Sequence, residues 1–143
     1  GKYIADFPTP PLIGRNDVIL MPHIGASTDE AEDNCAIMAA EQLRDFLENG
    51  NIRNAVNFPS LQLDRVSGCR LSVTNENVPK ILGSVLAILA DENINVIDML
   101  NKSREEVAYN LIDISTRPSN DVLERMQAIH GVIHVRMIGD CAL

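Results

Sequence analysis

The sequence predicts two parts of different class: an α/β portion over residues 1–58, and an α+β unit of order β-α-β-β-α-β over residues 69–143. A short linker, 59–68, joins them. Three observations carry this. Short apolar runs near the start are followed by one long run with helical spacing. A Pro- and Gly-bounded polar stretch interrupts the chain at 57–68. Beyond it, alternating and helical periodicities succeed one another in a regular order.

In the first part, Lys2 to Asp6 is strand-like, and Phe7-Pro8-Thr9-Pro10-Pro11 then breaks any regular element. Val18-Ile19-Leu20-Met21 is a continuous apolar run, as expected of a strand buried on both faces. Ser27-Thr28-Asp29-Glu30 fits an S-x-x-E capping box that opens a helix over 28–49. Ala31, Cys35, Met38, Ala39, Leu43, Phe46 and Leu47 form its apolar stripe, and Asn49-Gly50 ends it. Two short strands and one helix cannot bury themselves, so the stripe is expected to pack on a second chain or on the second part. Gly1 begins in mid-pattern, so the chain reads as a piece of a longer protein.

In the second part, Leu71 and Val73 alternate along a strand over 70–75. Residues 78–92 follow as a helix with Pro79 in its first turn. Strands are expected over 95–103 and 107–115, a helix over 120–130 stopped by Gly131, and a last strand over 132–138. This is the split βαβ order of ferredoxin-like domains, about 75 residues in two layers.

Composition narrows the partners. A formal net charge of -8 opposes nucleic acid and anionic membrane surfaces, both of which need clustered cations. Cys35, Cys69 and Cys141 show neither a CxxC pair nor metal-ligand spacing. They are expected to be free thiols in a reducing, cytoplasmic setting. Asp29-Glu30, Glu32-Asp33 and Glu105-Glu106 read as solvated faces, with no metal site among them.

Pro22-His23-Ile24-Gly25-Ala26-Ser27-Thr28 sets a histidine between a strand and a capped helix, a rigid mount suited to a general acid/base. A lone histidine in such a place is more often structural. The segment PHIGAST, with VILM before it, the 28–49 helix after it and Arg53-Asn54-Ala55-Val56-Asn57-Phe58-Pro59 beyond that helix, resembles the NAD-dependent D-2-hydroxyacid dehydrogenases, in particular their phosphoglycerate branch. That resemblance implies that His23 is the proton donor to the substrate oxygen. It also implies that Asp6, His23, Ile24, Gly25 and Ala26 edge the NAD pocket, with 3-phosphoglycerate as substrate. Two departures stand out. Pro10 occupies the place of the family's glutamate partner to this histidine, and the chain has no G-x-G-x-x-G turn. This chain alone is therefore expected neither to bind NAD nor to turn over.

The second part, through Leu71 to Pro79, Asn93-Ile94-Asn95-Val96 and Met99 to Ser103, resembles an ACT regulatory domain. The resemblance implies L-serine held by Asn75, Asn77 and Asn95 at the boundary of paired domains, and hence a homo-oligomer. All three asparagines are expected near the start of the 78–92 helix. Lys80 stands where ACT domains usually carry glycine. The alternative from another class is a non-enzymatic ACT-type amino-acid sensor with a vestigial dehydrogenase segment.

Overall fold

The computed structural model describes residues 1–142; Leu143, the last residue assigned to the second domain, lies outside the described residues. The chain forms two compact units, 1–40 and 41–143.

In the first unit, β1 (Tyr3–Ala5) and β2 (Val18–Leu20) pair in parallel, with Tyr3 opposite Val18 and Ala5 opposite Leu20. A single 3-10 turn, Pro10–Leu12, follows the proline-rich stretch. Ile19 is exposed, so the strand expected to be buried on both faces is open on this chain. Helix α1 spans Asp29–Asn49, and its residues from Glu41 onward belong to the second unit. Its cap differs from the expected capping box. The hydroxyl of Thr28, not Ser27, accepts from the Ala31 amide at 3.2 Å, so position N3 is Ala31 and Glu30 cannot reach back. Gly50, at φ +76, ends the helix as the Asn49-Gly50 pair predicts. No residue of α1 is buried, and Ile37, Met38, Leu43 and Leu47 are each at least half exposed.

In the second unit, β3 (Gly68–Glu76), α2 (Ile81–Asp91), β4 (Val96–Arg104), β5 (Val107–Ile114), α3 (Asn120–Gln127) and β6 (Val132–Ala142) follow the predicted order. The sheet is antiparallel, in the order β4-β5-β3-β6, which is the ferredoxin-like arrangement. Alternation decides the two faces. Cys69, Leu71, Val73, Ile112 and Ile114 point to one side and bury against Val85 and Leu89 of α2 and Val122 and Met126 of α3. Ser119 caps α3, accepting from the Val122 amide.

Helix α2 starts three residues later than expected. Lys80 adopts φ +80, outside the helical region, so Pro79 precedes the helix instead of filling its first turn. Strand β6 runs on past Ile138 to Ala142, with Gly68 opposite Ala142.

The opposite face of the sheet corrects the two-layer expectation. Tyr109, Leu111 and Ile138 bury there against Ile52 and Leu61, with Phe46, Phe58 and Leu63 packed around them. Leu61 lies within the stretch read as a linker, yet it is 1% exposed and its backbone pairs with Ile52 in both directions. The segment is irregular because Pro59 and Gly68 bound it, but it is a packed covering layer, not a spacer. Arg70 is fully buried on this face. It holds Asp113 through two hydrogen bonds of 2.6 and 2.7 Å, and donates to the carbonyls of Asn49, Leu63 and Asp64.

Cys69 and Cys141 form a disulfide, which overturns the expectation of three free thiols. Sequence spacing concealed the pairing because the two are 72 residues apart. They become neighbours only when β6 returns antiparallel beside β3. Among the described residues Cys35 is the free cysteine, and it is exposed. The free-thiol argument for a reducing compartment falls with this pair.

Candidate functional site

The first unit offers a histidine-carboxylate pair. β1 ends at Ala5 and β2 at Leu20, so the two parallel strands deliver Asp6 and His23 to the same edge. His23 Nδ1 lies 2.8 Å from Asp6 Oδ2, and the Phe7 ring stands 4.3 Å from the imidazole. With Nδ1–H donated to the carboxylate, Nε2 is left to face outward, as the acceptor in the neutral ring or the donor in the charged one. Such a fixed tautomer is what a proton-transferring histidine needs. The carboxylate is not at position 10, where Pro10 stands, but at Asp6, which the sequence had associated only with the cofactor pocket. A strand-end aspartate 17 residues before a strand-end histidine carries the signal only once the two strands are known to be parallel neighbours.

Ile24, Gly25 and Ala26 continue from His23 as an exposed turn, closed by Ser27 N–H donating to the Ile24 carbonyl. Nothing lies within 4 Å of a Cβ built on Gly25, and Ile24 is 60% exposed. An open, apolar, unobstructed turn beside an imidazole fits one edge of a nicotinamide pocket. The phosphate-binding glycine-rich turn that would complete a dinucleotide site is not part of this sequence.

In the second unit the three asparagines do not converge. Asn75 is buried, accepting from Asn110 Nδ2 at 2.8 Å and donating to the Glu76 carbonyl, so its amide is engaged internally. Asn110 also donates to the Val73 carbonyl and receives from Asn101, which makes a row of amides across β3, β5 and β4. Asn77 is exposed and donates to the Glu105 carbonyl in the β4–β5 turn. It lines an open cavity of about 550 Å³ with Glu76, Glu105, Glu106, Val78, Val107 and Ile133.

Asn95 sits at the far end. β3 and β4 run the same way, since each is antiparallel to β5 between them, and Cys69, Ile114 and Val96 share one end row while Glu76, Val107 and Arg104 share the other. Asn95 therefore lies a strand length from Asn77, roughly 25 Å. It is fixed there by Ser115, whose hydroxyl accepts from the Asn95 amide while its own amide donates to the Asn95 carbonyl. The expectation that all three meet at the start of α2 fails for this reason: Asn95 follows the end of α2, not its beginning.

No protein-family model matches the chain. It is similar to D-3-phosphoglycerate dehydrogenase of Escherichia coli (strain K12), at 34% identity over 132 residues, covering 91% of this chain and 32% of that protein. D-3-phosphoglycerate dehydrogenase 2 of Saccharomyces cerevisiae (strain ATCC 204508 / S288c) is 33% identical over 138 residues, covering 91% and 29%. Among solved structures, the ACT domain from GTP pyrophosphokinase of Chlorobium tepidum is 8% identical with a TM-score of 0.44, covering 50% of this chain and 97% of that one. The fold assignment rests on the strand order, not on that likeness. Over nearly its whole length, then, the chain is similar to D-3-phosphoglycerate dehydrogenases, and it spans about a third of the length of those it matches.

Proposed function

We propose that this chain supplies the proton-transfer element and the effector-binding domain of an NAD-dependent D-3-phosphoglycerate dehydrogenase, which oxidises 3-phosphoglycerate to 3-phosphohydroxypyruvate and is controlled by L-serine. The observation that carries the catalytic half is the His23–Asp6 hydrogen bond at the ends of two parallel strands. NAD, when bound, would supply the hydride acceptor. In the oxidation direction His23 Nε2 takes the proton of the substrate hydroxyl, and Asp6 offsets the positive charge that develops on the ring. In the reverse direction His23 returns that proton. The Phe7 ring, tilted against the imidazole at 4.3 Å between centroids, lies beside it.

The regulatory half rests on the separation of Asn77 from Asn95. Within one chain a molecule the size of serine cannot touch both, so a site that uses both needs a second copy, with one chain giving Asn77 and its twin giving Asn95. Amides suit this ligand, because each can accept from an ammonium and donate to a carboxylate. Ligand held this way binds the pair better than separate chains and stabilises it.

Complementation tests this reading. L-serine should raise the melting temperature and dimer fraction of the natural chain, and should do neither for Asn77→Ala or Asn95→Ala alone. Mixing the two variants in equal amounts should restore about a quarter of the serine sites, because about half of the pairs are mixed and each mixed pair rebuilds one complete site and one doubly deficient one. Serine binding by monomers, or no recovery on mixing, contradicts a site shared between copies.

A further inference from the structure

A cavity at the Asn95 end of the second unit has no part in the reading above. Its volume is about 470 Å³, and it is lined by Ser67, Gly68, Ile97, Ser115, Thr116 and Arg117 together with both sulfur-bearing residues, Cys69 and Cys141. The cystine is therefore walled by protein on the core side and open to a small molecule on the other. Cys69 is 2% exposed, whereas Cys141 is half-buried. Both line the cavity, and Cys141 is the more exposed of the two.

We propose that Cys69–Cys141 is an exchangeable disulfide, opened through this cavity by a small dithiol or glutathione-like thiol that forms a mixed disulfide on Cys141. In the first step the incoming thiolate bonds to Cys141 Sγ and the Cys141–Cys69 bond breaks, with its electron pair leaving on Cys69 as thiolate, which then takes a proton. The second thiol of a dithiol, or the thiolate of a second glutathione-like molecule, then attacks the reductant's sulfur in the mixed disulfide. That releases Cys141 as a thiol and leaves the reductant oxidised, so two electrons and two protons pass to the protein. Arg117 lines the cavity and offers positive charge to the attacking and departing thiolates, the setting in which cysteine exchange is fast.

What opening releases is the end of β6. Beyond Ile138 the strand turns through Gly139 at φ +64, and its pairing with β3 shifts register before the Gly68–Ala142 pair. The disulfide is the covalent tie across that irregular stretch. Without it, Arg65, which donates to the Ile138 and Asp140 carbonyls, and the Gly68–Ala142 pairing remain across this stretch. Ser115 belongs both to the cavity wall and to the mount of Asn95. A group seated on Cys141 therefore lies beside that mount.

The test uses the full 143-residue chain carrying Cys35→Ser, in native buffer with graded reduced and oxidised glutathione. The freshly purified, unreduced chain should titrate no thiols under denaturing conditions, and two after reduction. Native reduction should outpace global unfolding at least tenfold, with glutathione trapped on Cys141 by mass spectrometry and faster hydrogen exchange confined to 139–142. Arg117→Ala should slow the native exchange several-fold while leaving reduction of the denatured chain unchanged. Two free thiols in the unreduced chain would overturn the proposal. So would reduction only at the rate of global unfolding, or trapping on Cys69, since each makes the bond absent, inert or opened by another route.

Discussion

At the scale of single residues, Lys80 is the clearest case of a side chain at odds with its backbone. It holds φ +80 at the entrance to α2 and makes no capping hydrogen bond. A left-handed residue with a Cβ costs about 1 kcal/mol or more, which glycine does not incur. Lys80→Gly should therefore stabilise the unit by up to about 1 kcal/mol, net of the added freedom of the unfolded chain. Urea unfolding checks it: a lower midpoint would mean the lysine side chain has a stabilising contact that outweighs its strain. The family's usual glycine at this position thus has a backbone reason as well as the ligand-access reason inferred from sequence.

Tyr109 is a second residue with a measurable signature. Its hydroxyl donates to the Gly50 carbonyl at 2.9 Å, and burial raises its pKa, opposed in part by Ser72 and Arg136. A folded pKa above the unfolded value of about 10 means its contribution is fully present below that pH and is lost as pH rises through the folded value. Tyr109→Phe should cost roughly 1 kcal/mol at neutral pH through the lost hydrogen bond. It should also flatten the alkaline loss of stability, as followed by chemical denaturation between neutral pH and the tyrosine range. An unchanged alkaline slope would place that loss elsewhere.

At the scale of elements, the end of α1 is the part the sequence hid most completely. Helix ends leave carbonyls unpaired. Here arginines from distant positions take them: Arg136 donates to Phe46 O at 2.7 Å and stacks on its ring, Arg65 donates to Glu48 O, and Arg70 to Asn49 O. Periodicity gave the helix, its end at Gly50 and, through Leu71 and Val73, the core face of β3, because those depend on spacing within one element. It could not give Arg70, whose place in a strand pattern looks like a solvent-facing charge. That reading reverses only when the 50–64 segment folds over it and Asp113 arrives opposite on β5. The same holds for the disulfide and for the His23–Asp6 pair, both contacts between strands that the chain brings together late. Arg70→Met should destabilise by about 3–5 kcal/mol, since it leaves Asp113 buried and unpaired. A double change with Asp113→Leu should recover part of that. Equal losses in the single and double variants would show that the carbonyl contacts, not the ion pair, dominate.

At the scale of the whole molecule, the second unit is tied together by a disulfide that closes a long loop and restricts the unfolded chain, an effect of about 4 kcal/mol for a loop of this size. The first unit has no comparable core: its strands are open, and the part of α1 that belongs to it, up to Ala40, has no buried residue. The stability of the 143-residue chain accordingly resides in the second unit, while the proposed chemistry resides in the first. No helix among the described residues is long and apolar enough to cross a membrane.

The most direct test is the turnover of a dehydrogenase of the relatives' full length that carries this segment, measured as NADH formed at saturating 3-phosphoglycerate. His23→Ala should lower kcat by roughly 10²–10⁴-fold with NAD affinity little changed. Asp6→Asn should lower it less, because the ring stays but its fixed tautomer and charge partner are lost. Near-normal turnover in His23→Ala, or an Asp6→Asn variant indistinguishable from the parent, would contradict the account of this pair as the proton-transfer element.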